Sequence, residues 1–267
     1  MHTMKNDMKY ALVSGGSKGI GFAIASALAK RKFNLILVAR NAEDLNDAKI
    51  NLENSHPVIV ETLPLDLKDK EATEKIGNWC SERNLPVSVL CNVTGIGGSA
   101  DYLSNSLDES LYMLRLNMEP AISVTHQLLP LLKKNQPAYI LNVSSMAGLA
   151  PIFIKNIYSA SKSFMIFFSY SLRYQLKADR ISVSCLCPGP VFTRPAIEKE
   201  TLAKLGKFGK WMAVSPGKIG ETAIDQTFKK KMLIVPGTLP RAVSILIRIL
   251  PRSFVCWLYY KLSAKSR

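Results

Sequence analysis

Tyr10-Ala11-Leu12-Val13-Ser14-Gly15-Gly16-Ser17-Lys18-Gly19-Ile20-Gly21 is the stretch on which the fold turns. Its first residues form a short apolar run of strand type, and residues 22–30 that follow read as a helix. Between them the glycines stand where a backbone must turn sharply and let a phosphate come close. The helix that opens there presents free N–H groups and the positive end of its dipole. A bland alternative is a strand-to-helix turn that needs glycine only for its conformation. Placement after the first strand and before a helix favours the phosphate-binding reading. The spacing is Gly-x3-Gly-x-Gly, not the Gly-x-Gly-x-x-Gly of the common dinucleotide fingerprint.

Outward from this turn, short apolar runs alternate with longer amphipathic ones. Strands are predicted at 10–14, 34–39, 58–63, 87–91, 139–143, 181–187 and 231–235, and helices at 19–31, 42–54, 69–83, 107–134, 157–178 and 216–228. Most strands are continuous Val/Ile/Leu runs, as expected of strands covered on both faces. The alternation predicts an α/β protein: a single doubly wound, Rossmann-type domain with a seven-stranded parallel sheet and helices on both faces. Ser215-Pro216 reads as an N-cap followed by proline in the first turn. We divide the chain into a nucleotide-binding catalytic domain, 1–238, and a basic, apolar C-terminal extension, 239–267.

Composition narrows the class. Of 267 residues 48% are hydrophobic, which excludes intrinsic disorder, and 15 Gly with 14 Pro exclude a fibrous chain. Five cysteines, an odd number with no Cys-x-x-Cys pair, argue against a disulfide framework or a zinc site and fit a reducing compartment. With only His2, His56 and His126 available, no metal site is expected. The first apolar run falls short of the ~7–15 residues of a signal-peptide core, and no stretch reaches the ~20 of a membrane span. A cytoplasmic location is therefore expected. The net charge is +15, of which +11 lies in residues 199–267, so an anionic partner is expected for the tail.

Two further clusters carry chemistry. The second strand ends Ala39-Arg40-Asn41, with no acid to hold a ribose 2′-hydroxyl. An arginine there accommodates a 2′-phosphate instead, and Lys18 adds a second cation, so NADP(H) is the expected cofactor. In Tyr158-Ser159-Ala160-Ser161-Lys162, Tyr and Lys at i and i+4 share a helix face. The ammonium is expected to bias the phenol, which titrates near ~10 when free, towards a usable acid/base.

Ser145 lies 13 residues before Tyr158, Asn117 sits in Leu116-Asn117-Met118, and Cys187-Pro188-Gly189-Pro190-Val191-Phe192-Thr193 follows downstream. With the glycine turn, Asp66-Leu67 and Asn92-Val93-Thr94-Gly95, these motifs resemble the short-chain dehydrogenase/reductase family, from Ser14 to Thr193 in order and spacing. Ser14 stands where that family most often has Thr. Val93 and Thr94 depart from its Asn-Asn-Ala-Gly. The resemblance implies Tyr158 as general acid/base and Ser145 as hydrogen-bonding partner of the substrate oxygen. Lys162 would hold the nicotinamide ribose, and Asn117, through a helix distortion, would complete a proton relay. It further implies cofactor contacts from Gly15, Ser17, Lys18, Gly19, Ile20, Gly21, Arg40, Asp66, Leu67, Asn92, Gly95, Tyr158, Lys162, Pro188, Gly189, Val191 and Thr193. A homodimer or homotetramer through helices 107–134 and 157–178 is also implied.

The expected function is that of an NADP(H)-dependent oxidoreductase interconverting a carbonyl and a secondary alcohol, reducing a fairly bulky apolar ketone. The alternative is a non-catalytic NADP(H)-sensing protein that has kept the fold. The loop offers Phe208, Trp211, Met212 and Val214 among Lys199, Lys204, Lys207 and Lys210, which suits an apolar substrate or the buried side of a solvated helix. The tail pairs Arg241, Ser244 and Arg248 with Leu, Ile and aromatic residues. A peripheral membrane contact, a subunit interface and a substrate-tunnel cover all fit it. Nucleic acid is not expected, because the tail is too apolar for a phosphate-tracking arm. The shape resembles the hydroxysteroid dehydrogenase and long-chain ketoacyl-CoA reductase branch of the family.

Overall fold

A computed structural model of the chain describes residues 9–98, 102–192 and 209–264. The elements run β1 (Tyr10–Ser14), α1 (Gly19–Ala29), β2 (Asn34–Ala39), α2 (Ala42–Ser55), β3 (Val60–Pro64), α3 (Lys70–Glu82), β4 (Val87–Asn92) and α4 (Leu107–Lys134). They continue with β5 (Ala138–Val143), α5 (Asn156–Gln175), β6 (Ile181–Leu186), α6 (Pro216–Phe228), β7 (Leu233–Ile234), α7 (Thr238–Ile249) and α8 (Arg252–Ala264). The seven strands form one parallel sheet in the order β3-β2-β1-β4-β5-β6-β7. The expected doubly wound sheet is therefore present.

Strand residues alternate between two cores, as the pleat requires. Ala11, Val13, Leu35, Leu37 and Cys91 point towards Ile24 and Leu28 of α1 and Ile219 of α6. Leu12, Ile36, Val38, Leu90 and Ile140 point the other way, towards Ile76 of α3 and Val124 and Leu128 of α4. Full burial of each such side chain contributes about 1.5–3 kcal/mol, and so both faces of the sheet are held. On the first face α1 and α6 lie almost backbone to backbone. A Cβ on Gly220 would stand 2.2 Å from the Ala23 carbonyl oxygen. Arg31 clamps the pair, donating to Glu221 at 2.8 Å and to Asp225.

Local chemistry sets several boundaries. Ser106 and Glu109 form a capping box at the start of α4, which has Asp108 and Glu109 in its first turn and Lys133 and Lys134 in its last. Asn41 caps α2, accepting from the Asp44 N–H at 2.7 Å. Ser215 occupies the N-cap position of α6 with Pro216 in the first turn, but its side chain makes no cap bond. Strand β3 starts at Val60, two residues later than expected, where the Asn34 side chain takes the Ile59 N–H at 2.9 Å. Strand β7 contracts to two residues. The tail holds two helices, α7 and α8, beyond those expected at 19–228, and none of the helices among the described residues is long and apolar enough to cross a membrane.

Candidate active site

In a parallel sheet the strands end on one edge, and the strand order reverses direction between β1 and β4; a crevice opens there. The glycine turn fills the β1 side of it. Gly15 and Gly19 adopt positive φ, 69° and 58°, a conformation that a Cβ penalises. At Gly21 there is no space at all, since a Cβ would lie 1.9 Å from the Gly15 carbonyl oxygen. Ser14 supports the turn from below, its hydroxyl accepting from the Val93 and Thr94 N–H groups at 3.1 and 3.3 Å. The unexpected residues Val93 and Thr94 therefore contribute backbone, which any side chain supplies. Ser17, Lys18 and Ile20 lie on the turn, and Ile20 packs on the core beneath it.

Arg40 is exposed just past the end of β2, and its guanidinium reaches the Tyr112 hydroxyl at 3.4 Å. Lys18 pairs with Asp44 at 2.8 Å. Both cations thus sit at the crevice mouth. Asp66 accepts from the Lys68 N–H at 3.0 Å, closing its own loop, while Leu67 is buried beside it. The Asn92 side chain turns into the protein, donating to Thr125 Oγ1 at 3.0 Å and to Asn142 Oδ1 at 2.8 Å, which leaves its backbone at the crevice edge. Asn142 in turn donates to Ser169 Oγ at 2.9 Å, and Ser169 to the Met165 carbonyl at 2.6 Å. This polar string ties β4, β5 and α5 together under the site.

On the other side of the crevice, Ser144 and Ser145 follow the end of β5, and α5 carries Tyr158 and Lys162. The Ser144 hydroxyl donates to the Lys162 carbonyl at 2.6 Å, fastening α5 to β5. Ser145 accepts from the Ala147 N–H at 3.1 Å and is hydrogen-bonded to Tyr158. Asn117 is buried in α4. It accepts from the Ile96 N–H at 2.8 Å and donates to the Ile96 carbonyl and to Ser161 Oγ, both at 3.0 Å. Ser161 donates to the Tyr158 carbonyl at 2.8 Å. Asn117, Ser145, Tyr158 and Lys162 thus lie together, with Ser161 as the link that spacing alone did not single out. Helix α4 runs unbroken through Asn117; the departures the sequence forces are at Pro120 and Pro130, which have no N–H for the Leu116 and His126 carbonyls.

Electrostatically the site departs from the sequence expectation. Lys162 is buried and its ammonium lies 5.9 Å from the centroid of the Tyr158 ring. Burial lowers Lys162 to about 8. Burial also raises the Tyr158 phenol, with the Ser145 hydrogen bond only offsetting part of it. Desolvation of both groups therefore outweighs the bias from ammonium to phenol. Cys187, beside Lys162, is raised well above the ordinary thiol value by burial and by the Cys185 side chain, so it remains a neutral thiol.

The Pro188–Val191 segment closes the far side. Met146 N–H donates to the Pro188 carbonyl at 3.0 Å, a Cβ on Gly189 would meet the Met212 carbonyl at 3.2 Å, and Val191 packs on the core. Thr193, with Lys199, Lys204, Lys207 and Phe208 of the loop, lies outside the described residues. Met212 is buried and Trp211 is exposed, so the loop's apolar residues divide between core and solvent.

The crevice fits a dinucleotide on two observations. The turn has no room for side chains at Gly21, and a Cβ on Gly95 would lie 3.1 Å from Lys162 Nζ. Among the described residues the only hydrogen-bond acceptor on that buried ammonium is the Val143 carbonyl, at a long 3.3 Å. A ribose hydroxyl would supply what the protein leaves open.

Comparison with known proteins agrees with this geometry. The sequence profile described as short chain dehydrogenase matches residues 9–202. The very-long-chain 3-oxoacyl-CoA reductase of Mus musculus is 32% identical over 206 residues, 73% of this chain and 64% of its own. The very-long-chain 3-oxoacyl-CoA reductase-A of Danio rerio is 31% identical over 201 residues, 73% of this chain and 62% of its own. The chain thus spans less than two thirds of either relative. Among solved structures, the L-sorbose reductase of Gluconobacter frateurii, complexed with NADPH and L-sorbose, superposes with a TM-score of 0.77. It is 21% identical and the match covers 85% of this chain and 94% of that one, a likeness of fold. The profile match over most of the chain, together with the mouse relative, places the protein in the short-chain dehydrogenase family of oxidoreductases.

Proposed function

We propose that the protein is an NADP(H)-dependent oxidoreductase that interconverts a carbonyl and a secondary alcohol. The observation that carries this is the convergence of buried Asn117 and Lys162 with half-buried Ser145 and Tyr158, beside a glycine turn without room for a side chain at Gly21. A nicotinamide cofactor, when bound, supplies or accepts the hydride. The chain's own residues do the rest. Tyr158, held protonated by its surroundings, donates its proton to the carbonyl oxygen in reduction and takes one back in oxidation. Ser145 hydrogen-bonds the same oxygen and fixes its distance from the phenol. Lys162 holds the ribose and supplies positive charge behind Tyr158, while Asn117 and Ser161 fix the α5 backbone at Tyr158. Arg40 and Lys18 take the 2′-phosphate, which selects NADP(H).

A fairly bulky apolar ketone is the substrate class we favour. Gly98, Met113, Ile154 and Ile157 line the Tyr158 face of the crevice together with Asn105, Ser110, Lys155 and Asn156; what supports the apolar class is that the mouse relative is named a reductase of very-long-chain 3-oxoacyl-CoA. Five free thiols, four of them buried, support a reducing compartment such as the cytoplasm. Exposed Ile122 on α4 and Phe167, Tyr170 and Tyr174 on α5 support assembly of copies through these helices. We keep 1–238 as the catalytic domain and 239–267 as its extension. The test is turnover of simple ketones, ketosteroids and 3-oxoacyl thioesters with NADPH, by the parent and by Tyr158→Phe. The expected result is consumption of NADPH by the parent and loss of more than about 100-fold in the variant, which removes only the transferable proton. NADPH binding with no turnover of any substrate would establish the sensing alternative instead.

A further inference from the structure

Helix α7 is mounted with its apolar side outward. Pro240 and Ser244 are its buried residues, Ser244 at 1% exposure, whereas Ile245, Leu246 and Ile249 face solvent, Ile249 at 75%. An amphipathic helix on a protein surface ordinarily does the reverse. Helix α8 repeats the pattern. Val255 is buried and Tyr260 packs edge-on against Phe153, with ring centroids 5.6 Å apart. Phe254 and Trp257 stack on each other at 5.7 Å and stand exposed beside Leu258. Of the sixteen large hydrophobic residues exposed among the described residues, seven lie in these two helices. Such a concentration marks an interaction surface.

The charge around it selects the partner. Arg241, Arg248, Arg252 and Lys261 are exposed along the two helices. From residue 226 to residue 267 the sequence holds nine Lys/Arg and no Asp or Glu. A second copy docking here by twofold symmetry would set this cationic surface against itself. Tryptophan, tyrosine and branched apolar residues beside cations, on helices only 12 and 13 residues long, suit the interface of a bilayer and not its interior. We infer that the outer faces of α7 and α8 dock on the surface of an anionic lipid bilayer.

Co-sedimentation of the full chain with vesicles tests this, and catalysis is not read, so its failure and that of the proposed activity are distinguishable. One set of vesicles is phosphatidylcholine, the other carries roughly a third phosphatidylserine. Each cation near an anionic leaflet raises partitioning about fivefold. The parent is therefore expected to favour the anionic vesicles by at least about tenfold and to be released by salt. Two variants separate the contributions: Arg241→Gln/Arg248→Gln/Arg252→Gln/Lys261→Gln, and Leu246→Ser/Ile249→Ser/Trp257→Ser. All these side chains are exposed, so the fold is expected to persist, which circular dichroism checks. Each variant is expected to lose about tenfold or more in binding. Equal binding to neutral and anionic vesicles, or undiminished binding by either variant, overturns the inference. So does absence of lipid binding combined with a drop in molecular mass of the apolar variant, which would make the surface a contact between copies.

Discussion

Replacing Lys162 by Met is expected to make the protein more stable while abolishing its activity. The ammonium is buried among β5, β6 and α5 with one long hydrogen bond, to the Val143 carbonyl. Its value of about 8, against 10.5 for a free lysine, measures what the folded state loses by keeping the charge. At about 1.4 kcal/mol per unit, that is on the order of 3 kcal/mol. Below pH 8 both folded and unfolded chains hold the proton, and the full cost is present. Between about 8 and 10.5 the folded chain has released it and the unfolded chain has not, so stability of the parent rises with pH. The thioether of Met fills a similar length without charge. Urea unfolding should therefore show Lys162→Met more stable than the parent by about 3 kcal/mol at pH 7, with the gap closing towards pH 10.5. Turnover should fall below detection at every pH. A variant no more stable than the parent at pH 7, or a gap independent of pH, would refute the reasoning.

Two further outcomes are expected. Arg40→Asp should weaken NADPH binding roughly 10- to 100-fold, because one charge-assisted contact contributes about 1.5–3 kcal/mol, and should leave NADH binding equal or better; fluorescence titration of both cofactors reads it, and unchanged NADPH affinity excludes Arg40 from the phosphate site. Gly220→Ala should destabilise the fold by about 1–3 kcal/mol, since its Cβ would meet the Ala23 carbonyl at 2.2 Å and force α1 from α6; a urea midpoint equal to the parent's would mean the helices separate freely.

The sheet was legible because its strands are continuous apolar runs and each glycine or polar break falls between elements. The glycine turn and the Tyr158/Lys162 pair were legible because their chemistry depends on short spacing along the chain. The inward turn of the Asn92 side chain was not legible because its partners, Thr125 and Asn142, are 33 and 50 residues away and no local pattern announces them. Ser161 was passed over for the same reason, its partner Asn117 being 44 residues upstream. The Tyr158 phenol was expected to be lowered, since i,i+4 spacing reports proximity but carries no measure of burial. Helix α8 was read only as a string of aromatics, because its apolar residues face outward and do not trace an inward stripe.

The string from Thr125 through Asn92, Asn142 and Ser169 restricts how this sequence can drift. Each side chain in it is hydrogen-bonded to the next, with only Asn92 Oδ1 left without a partner among the described residues, so an apolar replacement at any single position removes a bond from a buried neighbour at a cost of about 1–3 kcal/mol. Replacing the members together by apolar residues of matching shape removes that penalty. Lineages are thus expected to keep the four residues as a set or to lose them as a set. Chains carrying half of the string should be scarce among relatives, even where all of the catalytic residues are retained.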